Sequence, residues 1–379
     1  MRILIAPDSF KECLTATEVA KNIALGIIRV MPDAEITCIP IADGGEGTVE
    51  AITTATNGKI IGVNTFDALM RPISSYYGIT SDGKTAIIEM AAASGLNFIK
   101  PSERNPLKTS TIGTGILVKA VLEAGYKDII LGLGGSATND GCMGMAKALG
   151  YRFLNKQNQE IGEGGGSLSS LAFIDSSKVD PLLKTSVITV ACDVTNPLFG
   201  PNGASAIYGP QKGASIEMVK VLDDNLIHFS KIIKEQLGKD IADIPGSGAA
   251  GGLGAGLLAF TNASLSPGFE IVKTITNLEK HIQQSNIIFT AEGKIDYQTQ
   301  YGKTPFGVAQ LALKYQKPVI ALCGIIGEGA DIMYEKGITG IFTIADKPMS
   351  VEESVKNASF LIQKTAERIM RIIRLEIGN

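Results

Sequence analysis

Five short stretches of this 379-residue chain carry carboxylates, with lysine in two of them and glycine in three, in a way that suits a phosphorylated ligand. They are Asp8-Ser9-Phe10-Lys11, Asp43-Gly44-Gly45-Glu46, Gly134-Gly135-Ser136-Ala137-Thr138-Asn139-Asp140, Asp193-Val194-Thr195-Asn196 and Glu292-Gly293-Lys294-Ile295-Asp296. Glycine lets backbone N–H groups approach an anion, and a helix that starts next adds the positive end of its dipole, so residues 134–139 read as a phosphate cradle. Carboxylates beside phosphates point to a Mg²⁺ ion between them, and Lys11 and Lys294 could balance phosphate charge. Each stretch alone also reads as a turn, a helix cap or a surface ion pair. Their recurrence at five predicted strand ends is what favours a site.

Other chemistries are poorly supplied. The two histidines, His228 and His281, fall within a long predicted helix and near a helix end, and with no G-x-S-x-G a hydrolytic triad is disfavoured. Five cysteines, odd in number and never in C-x-x-C, suggest neither a disulfide framework nor zinc, and a reducing compartment is expected. Gly302-Lys303-Thr304 resembles the end of a Walker A loop, but Tyr297 stands where its first glycine must be, so that loop is rejected. Gly246 to Gly251 fits G-x-G-x-x-G and residues 132–137 fit the Ala-ended variant; the first follows Pro245 rather than a strand, and the second lacks an acidic residue at a strand end some 20 positions on. Phosphoryl transfer, which asks for positioning and charge stabilisation more than for a special nucleophile, suits this inventory.

The elements that must hold these residues alternate from the start. Strand 2–6, a helix to about residue 30 opened by Thr15 and Glu18 as a capping box, strand 35–39, a helix from about 48 and strand 59–65 give a βαβαβ order and predict a parallel sheet. Residues 73–79 and 85–90 flank Ser81-Asp82-Gly83 as an antiparallel hairpin, which marks a change of domain near 66–72. Helix 114–124, strand 128–133, helix 142–149, strand 187–192 and a long helix over 216–237 follow, and after the glycine cluster at 245–256 come strand 287–290, helix 305–315, strands 319–323 and 340–343 and a final helix capped by Ser350 and Glu353. The expected division is a discontinuous parallel domain of residues 1–67 plus 285–379, and a second α/β domain of residues 68–284.

Composition narrows the partners. Glycine numbers 43, apolar residues are 45% and charged residues 19%, so a compact globular protein with many backbone-lined loops is expected. With 35 basic against 38 acidic side chains, nothing favours nucleic acid or an anionic membrane. The first strand meets Pro7 and Asp8 at once, which leaves no room for a signal-peptide apolar region, and a cytoplasmic location is expected.

Ala6-Pro7-Asp8-Ser9-Phe10-Lys11, Ala42-Asp43-Gly44-Gly45-Glu46-Gly47-Thr48 and Gly134 to Gly141 resemble the glycerate kinase type-1 family. The likeness continues through Glu89 to Leu96, Ala191 to Val194, Asn196-Pro197-Leu198, Gly209 to Ala214, Gly248 to Gly256, and Asp296 with Gln298-Thr299. The resemblance implies ATP-dependent phosphorylation of D-glycerate with Mg²⁺, by two dissimilar α/β domains around a cleft that holds the active site. One domain would have a mostly parallel Rossmann- or flavodoxin-like sheet and the other a mixed sheet.

On that likeness Gly134, Gly135, Ser136, Thr138, Asn139 and Asp140 would hold the nucleotide phosphates. Asp193, Glu292 and Asp296 would bind Mg²⁺ or deprotonate the hydroxyl. Asp8, Ser9, Lys11, Arg71, Glu46 and Lys294 would grip substrate, with Asp43 an alternative base to Asp193. The product would be 2-phosphoglycerate, with 3-phosphoglycerate the alternative; a nicotinamide-dependent hydroxy-acid oxidoreductase and a non-catalytic ligand-binding protein are the readings from other classes. The chain departs from the family pattern where Glu12-Cys13 replaces a small pair, Ala291 a glycine and Cys142 a glycine.

Overall fold

The structure, a computed structural model, describes residues 1–11, 13–42 and 44–377. Among the described residues thirteen strands form in chain order: β1 (Arg2–Ile5), β2 (Glu35–Cys38), β3 (Lys59–Phe66), β4 (Pro72–Ile79), β5 (Thr85–Glu89), β6 (Asp128–Gly132), β7 (Arg152–Leu154), β8 (Phe173–Asp175), β9 (Val187–Ala191), β10 (Ala263–Ser266), β11 (Ile287–Ile295), β12 (Val319–Ile326) and β13 (Gly340–Thr343). They belong to two compact units, one of residues 1–42, 50–57 and 269–379, the other of residues 43–49 and 58–268.

The first unit carries a five-stranded sheet in the order β13-β12-β11-β1-β2, with every pairing parallel. Its central strands are apolar runs buried on both faces, Ile3-Leu4-Ile5 and Ile287-Ile288-Phe289, as a sheet covered by helices on both sides requires. Helix Ala16–Ile28 starts where the sequence places it: the Thr15 hydroxyl accepts from the Glu18 amide at 3.2 Å and the Glu18 carboxylate accepts from the Thr15 amide at 2.9 Å. That helix packs on helix Ala358–Ile377. The two approach closely at Gly26, whose Cβ, were there one, would lie 2.3 Å from the Gln363 carbonyl oxygen.

A six-stranded mixed sheet in the order β10-β9-β6-β5-β4-β3 forms the core of the second unit, with β7 and β8 as a separate antiparallel pair. Strands β5, β6, β9 and β10 run parallel, whereas β3, β4 and β5 are antiparallel neighbours. The sequence expectation for β3 is thereby corrected: it is not a third parallel strand beside β2 but pairs along its whole length with β4, from Lys59↔Ile79 to Phe66↔Pro72. Only Thr65 of its eight residues is buried, unlike the buried run of a central parallel strand. A tight turn, in which Asp67 accepts from the amides of Leu69 and Arg71, folds β4 straight back onto it. Residues 58–67, expected with the first domain, therefore fold with the second unit.

One helix also differs from expectation. Ser350 caps the Glu353 amide at 3.1 Å, but the Glu353 carboxylate pairs with Lys347 instead of closing a capping box, and the chain forms two helices, Val351–Lys356 and Ala358–Ile377, interrupted at Asn357. No helix of the described residues is long and apolar enough to cross a membrane.

Candidate active site

In the first unit the chemistry collects at the carboxyl ends of β1 and β11, adjacent strands in the middle of the parallel sheet, where ligands of such sheets bind. The β1 direction continues past its end, with the Ala6 amide on Phe289 O at 2.7 Å and the Asp8 amide on Ala291 O at 2.8 Å, so Asp8 sits beside β11 rather than on a free loop. Asp8 is 9% exposed, and its carboxylate accepts from the Ser9 amide at 2.6 Å and from the Thr304 hydroxyl at 2.9 Å.

Strand β11 runs on to Ile295, through the segment the sequence assigns to a loop. The reason is the reach of β12: Lys294 and Ile295 pair with Ile325 and Ile326, beyond the end of β13. Glu292 thus projects from a strand, with a side chain 13% exposed. One carboxylate oxygen accepts from the Lys303 ammonium at 2.6 Å, and the other is buried without any hydrogen-bond partner. Burial pushes this carboxyl up to about 7, the neighbouring charge of Asp8 adds to the rise, and Lys303 and then Lys11 pull it down. Two carboxylates, two lysines and the hydroxyls of Ser9 and Thr304 therefore meet here, a set able to take up a phosphate and a proton.

Lys303 and Thr304 are what sequence reasoning missed. They open helix Thr304–Lys314, just after Gly302, which has the left-handed φ of 101°. Their usable signal was a Gly-Lys-Thr triplet before a helix, discarded with the Walker A pattern although its position as a helix start is sound.

Not every predicted residue joins this cluster. The Asp296 carboxylate accepts from the Gln298 amide at 2.9 Å and pairs with Lys294 at 2.8 Å, which holds it below the usual carboxylate range and leaves both residues in a cap of the turn Tyr297–Gln300. Ala291 lies in the extended β11 backbone, so its loss of glycine carries no conformational cost.

The second unit presents Gly134 half-buried and Gly135 exposed after β6, while Ser136, Thr138, Asn139 and Asp140 are buried. Asp140 is turned to the chain's own groups. Its carboxylate accepts from the Thr111 amide and hydroxyl at 2.8 and 2.9 Å and from the amides of Cys142 and Gly144, so the chain's own anion fills the start of the short helix Met143–Ala148. The Gly134 amide donates to Gly44 O at 3.0 Å, and a Cβ on Gly132 or Gly134 would stand 2.4 Å from Gly44 O or Gly45 Cα. These glycines serve close backbone-to-backbone packing.

The second glycine cluster has the same use. Ala250, Gly251 and Gly252 are successive left-handed residues with φ of 53°, 71° and 86°, which let this segment wrap residues 138–142: a Cβ on Gly251 would be 2.0 Å from Thr138 O, and one on Gly256 would be 2.1 Å from Cys142 Cβ. Cys142 itself has φ of 77°, so of the two glycine replacements it is the one that holds a strained backbone.

Asp193 is exposed after β9 and accepts from the Gly268 amide at 2.9 Å, and Glu46 is exposed. Arg71 is engaged: its guanidinium donates to Asp67 at 2.6 Å, to Phe98 O at 2.7 Å and to Glu103 at 3.2 Å. Asp43 lies outside the described residues. His228 bonds Leu171 O at 2.7 Å, and His281 lies in helix Leu278–Gln284. Among the described residues no three of His, Cys, Asp and Glu gather to hold a metal ion.

Comparison with known proteins bears on this arrangement. Residues 3–374 match the model of the glycerate kinase family. The chain is 49% identical to a glycerate kinase of Halalkalibacterium halodurans over 97% of both chains, and 48% identical to the glycerate 2-kinase of Escherichia coli over the whole of both. A crystal structure of a Salmonella typhimurium LT2 protein assigned as glycerate kinase 2 superposes with a TM-score of 0.89 at 44% identity, covering 99% of each chain.

Proposed function

Because the chain belongs to the glycerate kinase family, and is an enzyme of the kinase class, we propose that it transfers the γ-phosphoryl group of ATP to the 2-hydroxyl of D-glycerate. The observation that carries the site assignment is the Glu292 carboxylate: buried, protonated in part near neutrality, bridged on one oxygen to Lys303 and unpartnered on the other. A group of this kind has a cost in the free enzyme that a bound charge would remove.

In this reading the hydroxyl oxygen of glycerate attacks the γ-phosphorus as the bond to the β–γ bridging oxygen breaks, the hydroxyl proton passes to a carboxylate, and ADP leaves with the bridging oxygen. Little covalent work falls to the protein, so the residues act by position and charge. Lys11 and Lys303 steady the phosphoryl oxygens in the first unit, with the Ser9 and Thr304 hydroxyls as further donors. Gly134 and Gly135 offer the accessible backbone of the second unit to the nucleotide phosphates, and Asp193, or Asp43 in its place, takes the proton. Glu46 is exposed for glycerate, and Lys294 would have to leave its ion pair with Asp296 to join it.

Mg²⁺ brought with ATP would neutralise phosphate charge. The Glu292 oxygen without a hydrogen-bond partner fits a hard cation, Asp193 offers a carboxylate on an exposed residue, and Asp296 fits less well because a lysine and an amide already occupy its oxygens. The 2-hydroxyl is favoured by the full-length likeness to the protein named glycerate 2-kinase. Five free cysteines support the expected cytoplasmic location.

Release of ADP from ATP and Mg²⁺ on addition of D-glycerate tests the reading, and no release above the glycerate-free control would overturn it. Phosphorus NMR of the product separates 2- from 3-phosphoglycerate. Nicotinamide absorbance without ADP, or thermal stabilisation by glycerate without turnover, would instead support the oxidoreductase or the binding protein.

A further inference from the structure

Lys212, at the end of the turn Pro210–Lys212, is among the largest fully buried side chains of the protein, with 1% exposure. Its ammonium donates to Thr138 O at 2.6 Å, and among the described residues it makes no ion pair. The nearest opposite charge, Asp140, is already committed to Thr111, Cys142 and Gly144. Arg104, whose guanidinium donates to Gln211 O, and Glu163, which faces Asp140, are the other charged groups around this pocket. Thr138 Oγ1 and Asn139 Oδ1 are buried there without partners. Burial draws the ammonium down to about 7, against the pull of Asp140. A hydrocarbon side chain of similar volume would fill the space without the desolvation penalty of an unpaired charge.

We propose that Lys212 is a positioning residue for phosphoryl transfer, one that fixes the Gly134–Asn139 loop from its buried side through Thr138 O and lends positive charge to the accessible glycines that meet the nucleotide phosphates. The proposal rests on the reading of Gly134 and Gly135 given under the proposed function. Three features of the site agree with it. Gly135 is exposed, so the backbone of the loop is open to a ligand on the face opposite Lys212's hydrogen bond. It is already gripped on its inner face by Gly251, where no side chain fits. And Lys212 donates its hydrogen bond to the loop's own carbonyl, Thr138 O.

The test compares Lys212→Met and Lys212→Gln with the wild-type enzyme by steady-state kinetics in ATP and in D-glycerate, with thermal unfolding alongside. A Gly135→Ala variant is the control for the loop itself, since at a left-handed φ of 75° and 3.1 Å from Ala91 Cβ its methyl strains the loop directly. The expected result is a rise of about tenfold in the KM for ATP in both lysine variants, a KM for D-glycerate within twofold, and a melting temperature no lower than wild type. A KM for ATP within twofold of wild type in a folded lysine variant, while Gly135→Ala raises it, would overturn the proposal and leave the loop reading standing. No change in any of the three would remove the loop reading and the proposal with it. Lysine variants that do not fold would make Lys212 purely structural and also overturn the proposal.

Discussion

Replacing Glu292 by glutamine separates the site's cost to stability from its use. Glutamine keeps the shape of the carboxyl and cannot ionise. In the folded chain burial moves the Glu292 carboxyl from 4.5 to about 7, a value that already includes the attraction of Lys303. At ~1.36 kcal/mol for each tenfold in proton affinity, the displacement is about 3 kcal/mol. Because the folded value is raised, the folded chain holds a proton that the unfolded chain releases between pH 4.5 and 7; this group's stabilising contribution is full below 4.5 and lost as pH rises through about 7. Glu292→Gln should therefore melt close to wild type at pH 4.5 and above it at pH 8. At about 2–4 °C per kcal/mol for a unit of this size, the gain reaches roughly 6–12 °C. Calorimetry of both proteins at the two pH values, without nucleotide, reads the difference directly. Turnover of the variant should fall by at least ~10². A variant no more stable than wild type at pH 8, or one that turns over at the wild-type rate, would refute the account of Glu292.

Three further outcomes follow from the geometry. Lys303→Met should lower kcat by at least ~10² while leaving the fold intact, read by ADP release and circular dichroism, because its ammonium is replaced in place and its helix still starts at Thr304. Asp193→Asn keeps an oxygen for the Gly268 amide, so it should stay folded and lose ~10² to 10⁴ in kcat; unchanged turnover would reduce Asp193 to a turn-closing acceptor. Gly251→Ala must add a methyl 2.0 Å from Thr138 O at a left-handed φ, and should cost about 2–4 kcal/mol in urea unfolding, whereas Gly125→Ala, also left-handed but with open space around it, should cost about 1 kcal/mol.

Where a residue's role depends on its own strand end, the sequence was readable. Asp8, Ser9 and Lys11 follow an unmistakable buried strand, and the Thr15–Glu18 box announces its helix, so their places could be written down from local pattern. Lys303 could not be assigned this way. What makes it important is a carboxylate eleven residues earlier on β11, and the strand's length is set by β12, not by its own residues. Asp140 was misleading for a related reason: it looks like the end of an anion loop, but Thr111, 29 residues before it, supplies two of its partners. The glycine cluster near 250 is the clearest case. Its fit to a dinucleotide fingerprint was rightly set aside, yet no local rule shows that its missing side chains make room for residues 138–142, because the two segments are more than 100 residues apart in sequence. For β3, alternation and a short turn were present, and the parallel reading gave them too little weight.

The central place of β1 governs how the chain can be assembled. One of its edges is completed by β2 within the first forty residues, but the other waits for β11, and the register Ile3↔Ile287 joins residues 284 positions apart. On a ribosome that makes ~5–20 residues per second, this edge stays open for at least about fifteen seconds while the whole second unit is synthesised. Long-range closure of that kind slows folding, and an unpaired apolar strand is a template for the wrong neighbour. The second unit, whose residues 43–49 and 58–268 are all made before β11, has no such wait. It can be finished while the first is still half a sheet, which makes the nascent first unit the stage at which a chaperone would matter most and the point where truncated products would aggregate.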